Sequence, residues 1–303
     1  MTFKDYFLRW LRNSEEYKNL VAENNKLNSM QGYPPGHFYS PIVDGGEIEH
    51  RDAEIWKVQD RIDGIDLNME DQLALVKAFS AYYSELPYLP EKGLKTRYYF
   101  DNDYYTHNDG IVLYSMIRHL QPKKIIEIGS GFSSAIMLDT NEHCFAGAIK
   151  LVFIDPYPER LYGLLNEQDK QHAEVIAKNV QSVPLELYKD LEAGDILFVD
   201  SSHVVKTGSD LHHILFNILP VLKPGVHIHF HDIFFPFEYP KAWVMAGRNW
   251  NENYVLRAFL MYNDQFRIRL FSDYLYKHQT AAFWDLPLAY NVQGTSHWIE
   301  KTG

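Results

Sequence analysis

One short stretch constrains the fold of this chain more than any other: residues 123–134, KKIIEIGSGFSS. Its three isoleucines form a short β-branched run, which is typical of a parallel strand buried on both faces. Gly129 and Gly131 allow the backbone to turn tightly and to approach a ligand closely. A serine after them can cap a helix. The stretch therefore predicts a strand, a tight turn and a helix, with backbone N–H groups at the edge where open α/β sheets bind ligands.

Three more apolar runs repeat this pattern of a strand that ends in an acid. They are residues 151–155 (LVFID), 195–200 (DILFVD) and 226–232 (VHIHFHD), and helical patterns separate them. Alternating residues at 266–271 predict a further strand, and residues 175–180 and 296–300 predict two more. Strands that alternate with helices fold into a doubly wound sheet. The fold class predicted is therefore α/β, with a mostly parallel seven-stranded sheet.

The first hundred residues lack this strand-and-helix alternation and are rich in aromatic side chains. We therefore predict an appendage of helical and irregular structure over residues 1–100 and the α/β domain over residues 101–303. The appendage has two interpretations of equal weight. It is a cap that covers the ligand crevice, or it is a collar or homo-oligomer interface, because aromatic residues are enriched at pockets and interfaces alike.

The spacing of Glu127, Gly129 and Gly131 resembles motif I of the class I S-adenosylmethionine-dependent methyltransferases. A dinucleotide fingerprint would need a third glycine at position 134, where this chain has Ser134. The run LKPGVHIHFHD at 222–232 is similar to the segment in which that family enters its fifth strand. The resemblance covers roughly residues 100–272.

This resemblance implies S-adenosylmethionine as the cofactor. By their match to the motif, Glu127, Gly129, Ser130 and Gly131 are expected at the methionine end of the cofactor, Asp155 at its ribose and Gln181 near its adenine.

A second group of polar residues follows the fourth and fifth predicted strands. Asp200 and His203 follow one strand, and His231 and Asp232 end the next. They resemble the small-molecule O-methyltransferases and their relatives near the macrolide-sugar methyltransferases and the cephalosporin-hydroxylase-like group. That branch often binds a divalent metal here, which implies Asp200, Asp232 and His231 as ligands for magnesium or manganese. The family often has an acid where this chain has His231, and imidazole suits other metals better.

The predicted activity is methyl transfer to a hydroxyl group of a small-molecule or glycan-like acceptor. His203 is the predicted general base, because neutral imidazole titrates near working pH, and Asp200 and His231 are predicted to assist it. Two alternatives stay open. An oxygenase or hydroxylase-like enzyme would hold iron with His203, His231 and Asp232. A non-catalytic partner would bind the cofactor without turnover.

Two other histidines, His227 and His229, share a strand face with His231 and have a structural interpretation, as side chains buried between sheet and helices. We favour that interpretation most for His227.

Composition limits the partners. The formal net charge is −11 and no long basic run occurs, so nucleic acid is not expected as a substrate. Cys144 is the single cysteine, which excludes an internal disulfide and a cysteine-based zinc cluster. No apolar run of signal-peptide or membrane-spanning type occurs in the sequence. A cytoplasmic enzyme without a membrane partner is the expectation.

Overall fold

The computed structural model describes residues 4, 10–30, 32–166, 168–169 and 173–303. The chain divides into two compact units. The smaller consists of residues 1–58 and 241–249, and the larger of residues 59–240 and 250–303. The sheet and every predicted site residue belong to the larger unit.

The helices of the described residues include short 3₁₀ and π segments. The α-helices, in chain order, are α1 (Glu15–Met30), α2 (Gly45–His50), α3 (Asp52–Ile55), α4 (Met69–Tyr83), α5 (His107–Leu120), α6 (Phe132–Phe145), α7 (Glu159–Leu164), α8 (Glu186–Lys189), α9 (Asp210–His213), α10 (Lys241–Met245), α11 (Glu252–Leu260), α12 (Ser272–His278) and α13 (Pro287–Tyr290). The 3₁₀ segments are Val180–Ser182, Leu219–Val221 and Thr280–Phe283, and the π segment is Ile214–Ile218.

The strands form one seven-stranded sheet in the order β3-β2-β1-β4-β5-β7-β6. They are β1 (Lys124–Ile128), β2 (Lys150–Ile154), β3 (Glu174–Ile176), β4 (Ile196–Val199), β5 (His227–Phe230), β6 (Phe266–Phe271) and β7 (His297–Lys301). β1 to β5 are parallel to one another, whereas β7 is antiparallel to both β5 and β6. The predicted α/β fold with a mostly parallel sheet is confirmed, and the single reversed strand makes the sheet mixed.

The central strands are apolar because helices cover both faces of the sheet. Every residue of β1, β4 and β5 is buried. The alternation of polar and apolar residues in β6 reflects its place at the sheet edge. The helical segment after β4 is divided into α9, a π segment and a 3₁₀ turn. Pro220 explains the last change, because it has no amide hydrogen to continue a regular helix.

The segment that precedes α5 is tied to the α/β core by a buried ion cluster. The Arg97 guanidinium lies 2.7 Å from an Asp139 oxygen and 2.6 Å from an Asp169 oxygen. Asp139 also accepts hydrogen bonds from the backbone N–H groups of Arg97 and Tyr98. Residues 59–100 thus share the larger unit with the sheet. The boundary near residue 100 between an appendage and a catalytic domain stays a prediction.

Candidate active site

The carboxyl ends of β1, β2, β4 and β5 are joined directly by backbone hydrogen bonds. The Gly129 N–H donates to the carbonyl of Ile154, the last residue of β2, and the Asp200 N–H donates to the Ile128 carbonyl, both at 2.9 Å. The residue after β5, His231, donates to the Val199 carbonyl. The polar residues that follow these strands are therefore held along one edge of the sheet, as the doubly wound fold requires.

The loop between β1 and α6 depends on Gly129. Its φ of +83° lies in the left-handed region that side chains rarely adopt. A Cβ atom placed there would lie 1.7 Å from the Asp200 carbonyl oxygen. Glycine therefore lets the loop pass in contact with the first residue after β4, whose carbonyl oxygen occupies the place that a side chain would take.

Glu127 stabilises this loop from the buried end of β1. The residue is fully buried, and its carboxylate oxygens accept hydrogen bonds from the hydroxyls of Ser133 and Ser134. Burial raises the pKa of Glu127 to about 8, although both serine hydrogen bonds oppose the change. Glu127 therefore shapes the loop and the first turn of α6. Its side chain does not face solvent, and direct contact with a cofactor stays a prediction.

Asp155 is tied to the same loop from β2. Its carboxylate accepts hydrogen bonds from the backbone N–H and the hydroxyl of Ser130, at 2.9 and 3.1 Å, and from the Tyr157 N–H at 2.8 Å. The side chain stays partly exposed. Gln181 lies further away in the 3₁₀ turn after β3, where its amide donates to the Gly208 carbonyl. The structure thus brings Ser130 and Asp155 together, whereas Gln181 contacts a different loop.

These residues fit the methionine and ribose portions of S-adenosylmethionine. Asp155 retains acceptor capacity for a hydroxyl donor, because one of its carboxylate oxygens accepts only the Tyr157 N–H and each oxygen can accept two hydrogen bonds. Gly129, Ser130 and Gly131 would hold the amino-acid part, and Asp155 would hold the ribose hydroxyls.

Beside the glycine loop, His203 lies at the centre of a cluster of acids. Its Nε2 is 3.5 Å from an Asp200 oxygen and 3.8 Å from an Asp232 oxygen. Its Nδ1 is 2.8 Å from a Glu252 oxygen. His231 joins the cluster through its Nε2, which is 3.8 Å from Asp232. The structure therefore brings together all four residues that the sequence predicted at this edge.

The acids change the protonation of both histidines. Burial lowers the pKa of His203, but hydrogen bonds with Asp200 and Glu252 outweigh burial and hold the pKa well above its ordinary value. Burial likewise lowers the pKa of His231, but the charges of Asp200 and Asp232 outweigh burial, so the pKa is raised overall. Burial raises the pKa of Asp200, whereas the charges of the two histidines leave it lowered overall. The acids around His203 therefore favour its imidazolium form.

His203 is fixed in place by several contacts. Its backbone has a φ of +59°, and its carbonyl accepts hydrogen bonds from the N–H groups of Asn251 and Glu252 at the start of α11. The Trp250 ring packs on the imidazole with centroids 4.3 Å apart. An uncommon backbone conformation that is held this firmly is typical of a functional site.

Asp232, with a φ of +57°, is positioned by the segment before β7. The Thr295 hydroxyl donates to its carboxylate at 3.1 Å. Buried Asp109, in the first turn of α5, accepts hydrogen bonds from the N–H groups of Thr295 and Ser296. The Asn253 amide also donates to the Asp232 carbonyl. Asp109 therefore supports the segment that positions Asp232.

Sequence reasoning missed Glu252, Trp250 and Thr295. Glu252 is 3% exposed, and a buried acid in the first turn of an amphipathic helix needs a partner. That was the one signal available in the sequence, because the partner, His203, lies 49 residues earlier in the chain.

The two other histidines of β5 are buried, and His229 also stacks on His231 of the cluster, with ring centroids 5.7 Å apart. The ring of His229 stacks on Phe198, with centroids 3.9 Å apart, and also packs on Trp298. Burial lowers the pKa of His227 to about 4. Both observations agree with the structural interpretation of these residues.

The predicted metal ligands do not form a coordination site. Within the described ranges, no group of three or more His, Cys, Asp or Glu side chains is arranged to hold a metal ion. This applies to Asp200, Asp232 and His231 as magnesium or manganese ligands, and to the iron set of His203, His231 and Asp232. The predicted divalent metal is therefore not supported.

Known proteins share the part of the sequence that builds this edge of the sheet. Residues 126–233 match a family model described as a methyltransferase domain. An uncharacterised protein of Archaeoglobus fulgidus is 37% identical over 166 residues, which cover 53% of this chain and 74% of that protein.

Two solved structures, each 15% identical to the chain and each matched over 85% of this chain and 96% of the other, have low similarity scores. A methyltransferase of Podospora anserina bound to S-adenosylhomocysteine gives a TM-score of 0.44. The O-methyltransferase TomG of Streptomyces achromogenes, bound to S-adenosylmethionine, gives 0.39. No conclusion about the acceptor follows from scores this low.

The matched span begins in β1 and ends just past Asp232, so it contains both the glycine loop and the acid–histidine cluster. The chain belongs to the class I S-adenosylmethionine-dependent methyltransferases. Separately, none of the described helices has both the length and the apolar character needed to cross a bilayer.

Proposed function

We propose that this methyltransferase transfers the methyl group to a hydroxyl of a small-molecule or glycan-like acceptor, with His203 as the general base. One observation carries the proposal: His203 directs Nε2 toward Asp200 and Asp232 at the carboxyl edge of the sheet, while Glu252 holds Nδ1 on the other side of the ring. A histidine held by a buried acid on one nitrogen leaves its other nitrogen to exchange a proton with a substrate.

S-adenosylmethionine would supply an electrophilic methyl group on its sulfonium. The residues of the chain supply the remaining requirements. Asp200 and Asp232 accept hydrogen bonds and would orient the acceptor hydroxyl. His203 Nε2 would remove its proton, and Glu252 would stabilise the imidazolium that results. His231 holds Asp232 from the side, 3.8 Å away. Removal of this proton is needed because a neutral alcohol is a weak nucleophile.

The resting protonation state sets a condition on this mechanism. The raised pKa of His203 favours the protonated ring, which cannot accept another proton. The rate is therefore expected to rise with pH through the pKa of His203.

Methyl transfer from S-adenosyl-[methyl-¹⁴C]methionine to a panel of monosaccharides, glycosides and phenols tests the proposal. Label is expected in an O-methyl group of one class. With that acceptor, Asp200→Asn and His203→Ala should each lower kcat by about 10²–10⁴-fold, the usual cost of losing a general base or its partner. Calorimetry with S-adenosylhomocysteine should show nearly unchanged cofactor affinity. His212→Ala is the matched control, since His212 is an exposed histidine that packs on Phe216.

Label on nitrogen or carbon would overturn the O-methylation. Full turnover by His203→Ala would overturn the assignment of the base. A chelator distinguishes histidine-base catalysis from the metal-dependent alternative. An enzyme that uses only the histidine base keeps its turnover, whereas a metal enzyme loses turnover and regains it with added magnesium or manganese.

A further inference from the structure

Arg160, in the first turn of α7, is a cation at the rim of the cofactor crevice that the mechanism above does not use. Its guanidinium lies over the Tyr104 ring, 3.8 Å from the centroid. Tyr104 in turn stacks on Phe132, the first residue of α6, with centroids 6.0 Å apart and planes inclined by 17°. Arg160, Tyr104 and Phe132 thus form a stack beside the N-terminus of α6.

The arginine side chain crosses the glycine loop. A Cβ atom on Gly131 would lie 3.0 Å from the Arg160 Cδ. The absence of a side chain at Gly131 therefore gives Arg160 its path.

The guanidinium keeps its hydrogen-bonding capacity for a ligand. It packs on the face of a ring and forms no ion pair with a described residue, although its charge helps to lower the pKa of Asp200. A ring face leaves the N–H groups at the guanidinium edge free to donate in the plane of the guanidinium. Tyr104 thus holds the group in place without using its donors.

The surrounding charges indicate which ligand group it serves. Asp155, Asp200 and Asp232 line the same edge of the sheet, and their carboxylates repel an anion. The cofactor carries a carboxylate on its methionine part, beside the glycine loop. Planar guanidinium groups bind carboxylates through two parallel hydrogen bonds.

We propose that Arg160, positioned by Tyr104, binds the carboxylate of the cofactor's methionine part. This assignment rests on the cofactor site described above. It adds a residue of α7 to the glycine loop and Asp155.

Calorimetry with two ligands tests the assignment. S-adenosylhomocysteine has the carboxylate, and S-adenosyl-3-thiopropylamine lacks only that group. Arg160→Gln should raise the Kd of the first ligand by about 10- to 100-fold, the range expected for charge-assisted hydrogen bonds. The Kd of the second should change by less than about twofold. Arg160→Lys should fall between, because lysine keeps the charge and loses the paired geometry.

Two further variants separate position from charge. Tyr104→Leu removes the ring under the guanidinium and should weaken binding of the carboxylate ligand alone, while Tyr104→Phe should bind both ligands normally. Arg61→Gln is the charge-matched control, because Arg61 is an exposed arginine whose side chain lies 3.7 Å from Asp63.

Equal weakening of both ligands by Arg160→Gln, or unchanged affinity for S-adenosylhomocysteine, would overturn the assignment and leave the methyltransferase site intact. An increase only in the KM of an anionic acceptor would assign Arg160 to the acceptor, which also overturns it. Failure of the wild-type chain to bind either ligand would overturn the cofactor site itself.

Discussion

Gly129→Ala is the substitution whose effect the structure determines most sharply. Two costs arise at this position. At a φ of +83°, any residue with a Cβ is strained by about 1–2 kcal/mol. The new Cβ would also lie 1.7 Å from the Asp200 carbonyl oxygen, where ordinary contacts begin at 3.4 Å, so the two loops must separate by roughly 1.7 Å. Overpacking of this kind costs about 1–3 kcal/mol more.

Gly147→Ala supplies the matched control. Gly147 follows α6 with a φ of +78°, and nothing lies within 4 Å of a Cβ built on it. It should therefore show the backbone strain alone. Each kcal/mol lowers the Tm by about 2–4 °C in a protein of this size class. We expect Gly147→Ala to lose only the stability that backbone strain costs, and Gly129→Ala to lose the stability that overpacking costs as well.

Cofactor binding separates the two variants more clearly. Displacement of the loop by more than about 1 Å should weaken S-adenosylhomocysteine binding by about 10²-fold or more, by analogy with the cost of similar displacements in catalysis. Gly147→Ala should bind as the wild type does. Calorimetry and thermal unfolding of both variants measure these effects. If Gly129→Ala binds normally and unfolds together with Gly147→Ala, the steric argument about the loop is refuted.

Three shorter predictions follow. Glu252→Gln removes a carboxylate that raises the pKa of His203, so the rising limb of the pH–rate profile should move to lower pH; a limb that stays in place or moves up would contradict the pairing. Thr295→Val removes the hydroxyl that holds Asp232 and should lower kcat more than cofactor affinity, whereas Thr295→Ser should restore it. Deletion of residues 1–60 should leave a folded chain that turns over poorly if the first hundred residues cover the crevice; unchanged kinetics would favour the collar.

The sequence predicted the sheet well because its signals are local. A buried parallel strand is apolar along its whole length, so the strands before Glu127, Asp155 and Asp200 could be recognised from a few residues each. Strand ends then meet at one edge by geometry alone. The meeting of His203 with Asp232 followed from that rule, although the two residues belong to different strand–loop units.

The remaining parts of the site could not be predicted because they depend on distant pairings. Glu252 reaches His203 only after α11 packs behind the β4 loop, and Thr295 reaches Asp232 only after β7 inserts beside β5. The protonation of His203 has the same origin. The neutral imidazole expected from the sequence assumed an ordinary environment, and two acids on separate elements change it.

The pairing of histidines with acids also explains why so many charged groups can be buried at this edge of the sheet. An isolated ion is costly to bury, whereas a cation surrounded by carboxylates is not. His203 and His231 compensate Asp200, Asp232 and Glu252 within the cluster. Arg160 forms no ion pair with a described residue, although its charge helps to lower the pKa of Asp200. Within the cluster, opposite charges therefore stabilise one another and remain available for proton transfer. Arg160, stacked on the Tyr104 ring, is available for an anion of a ligand.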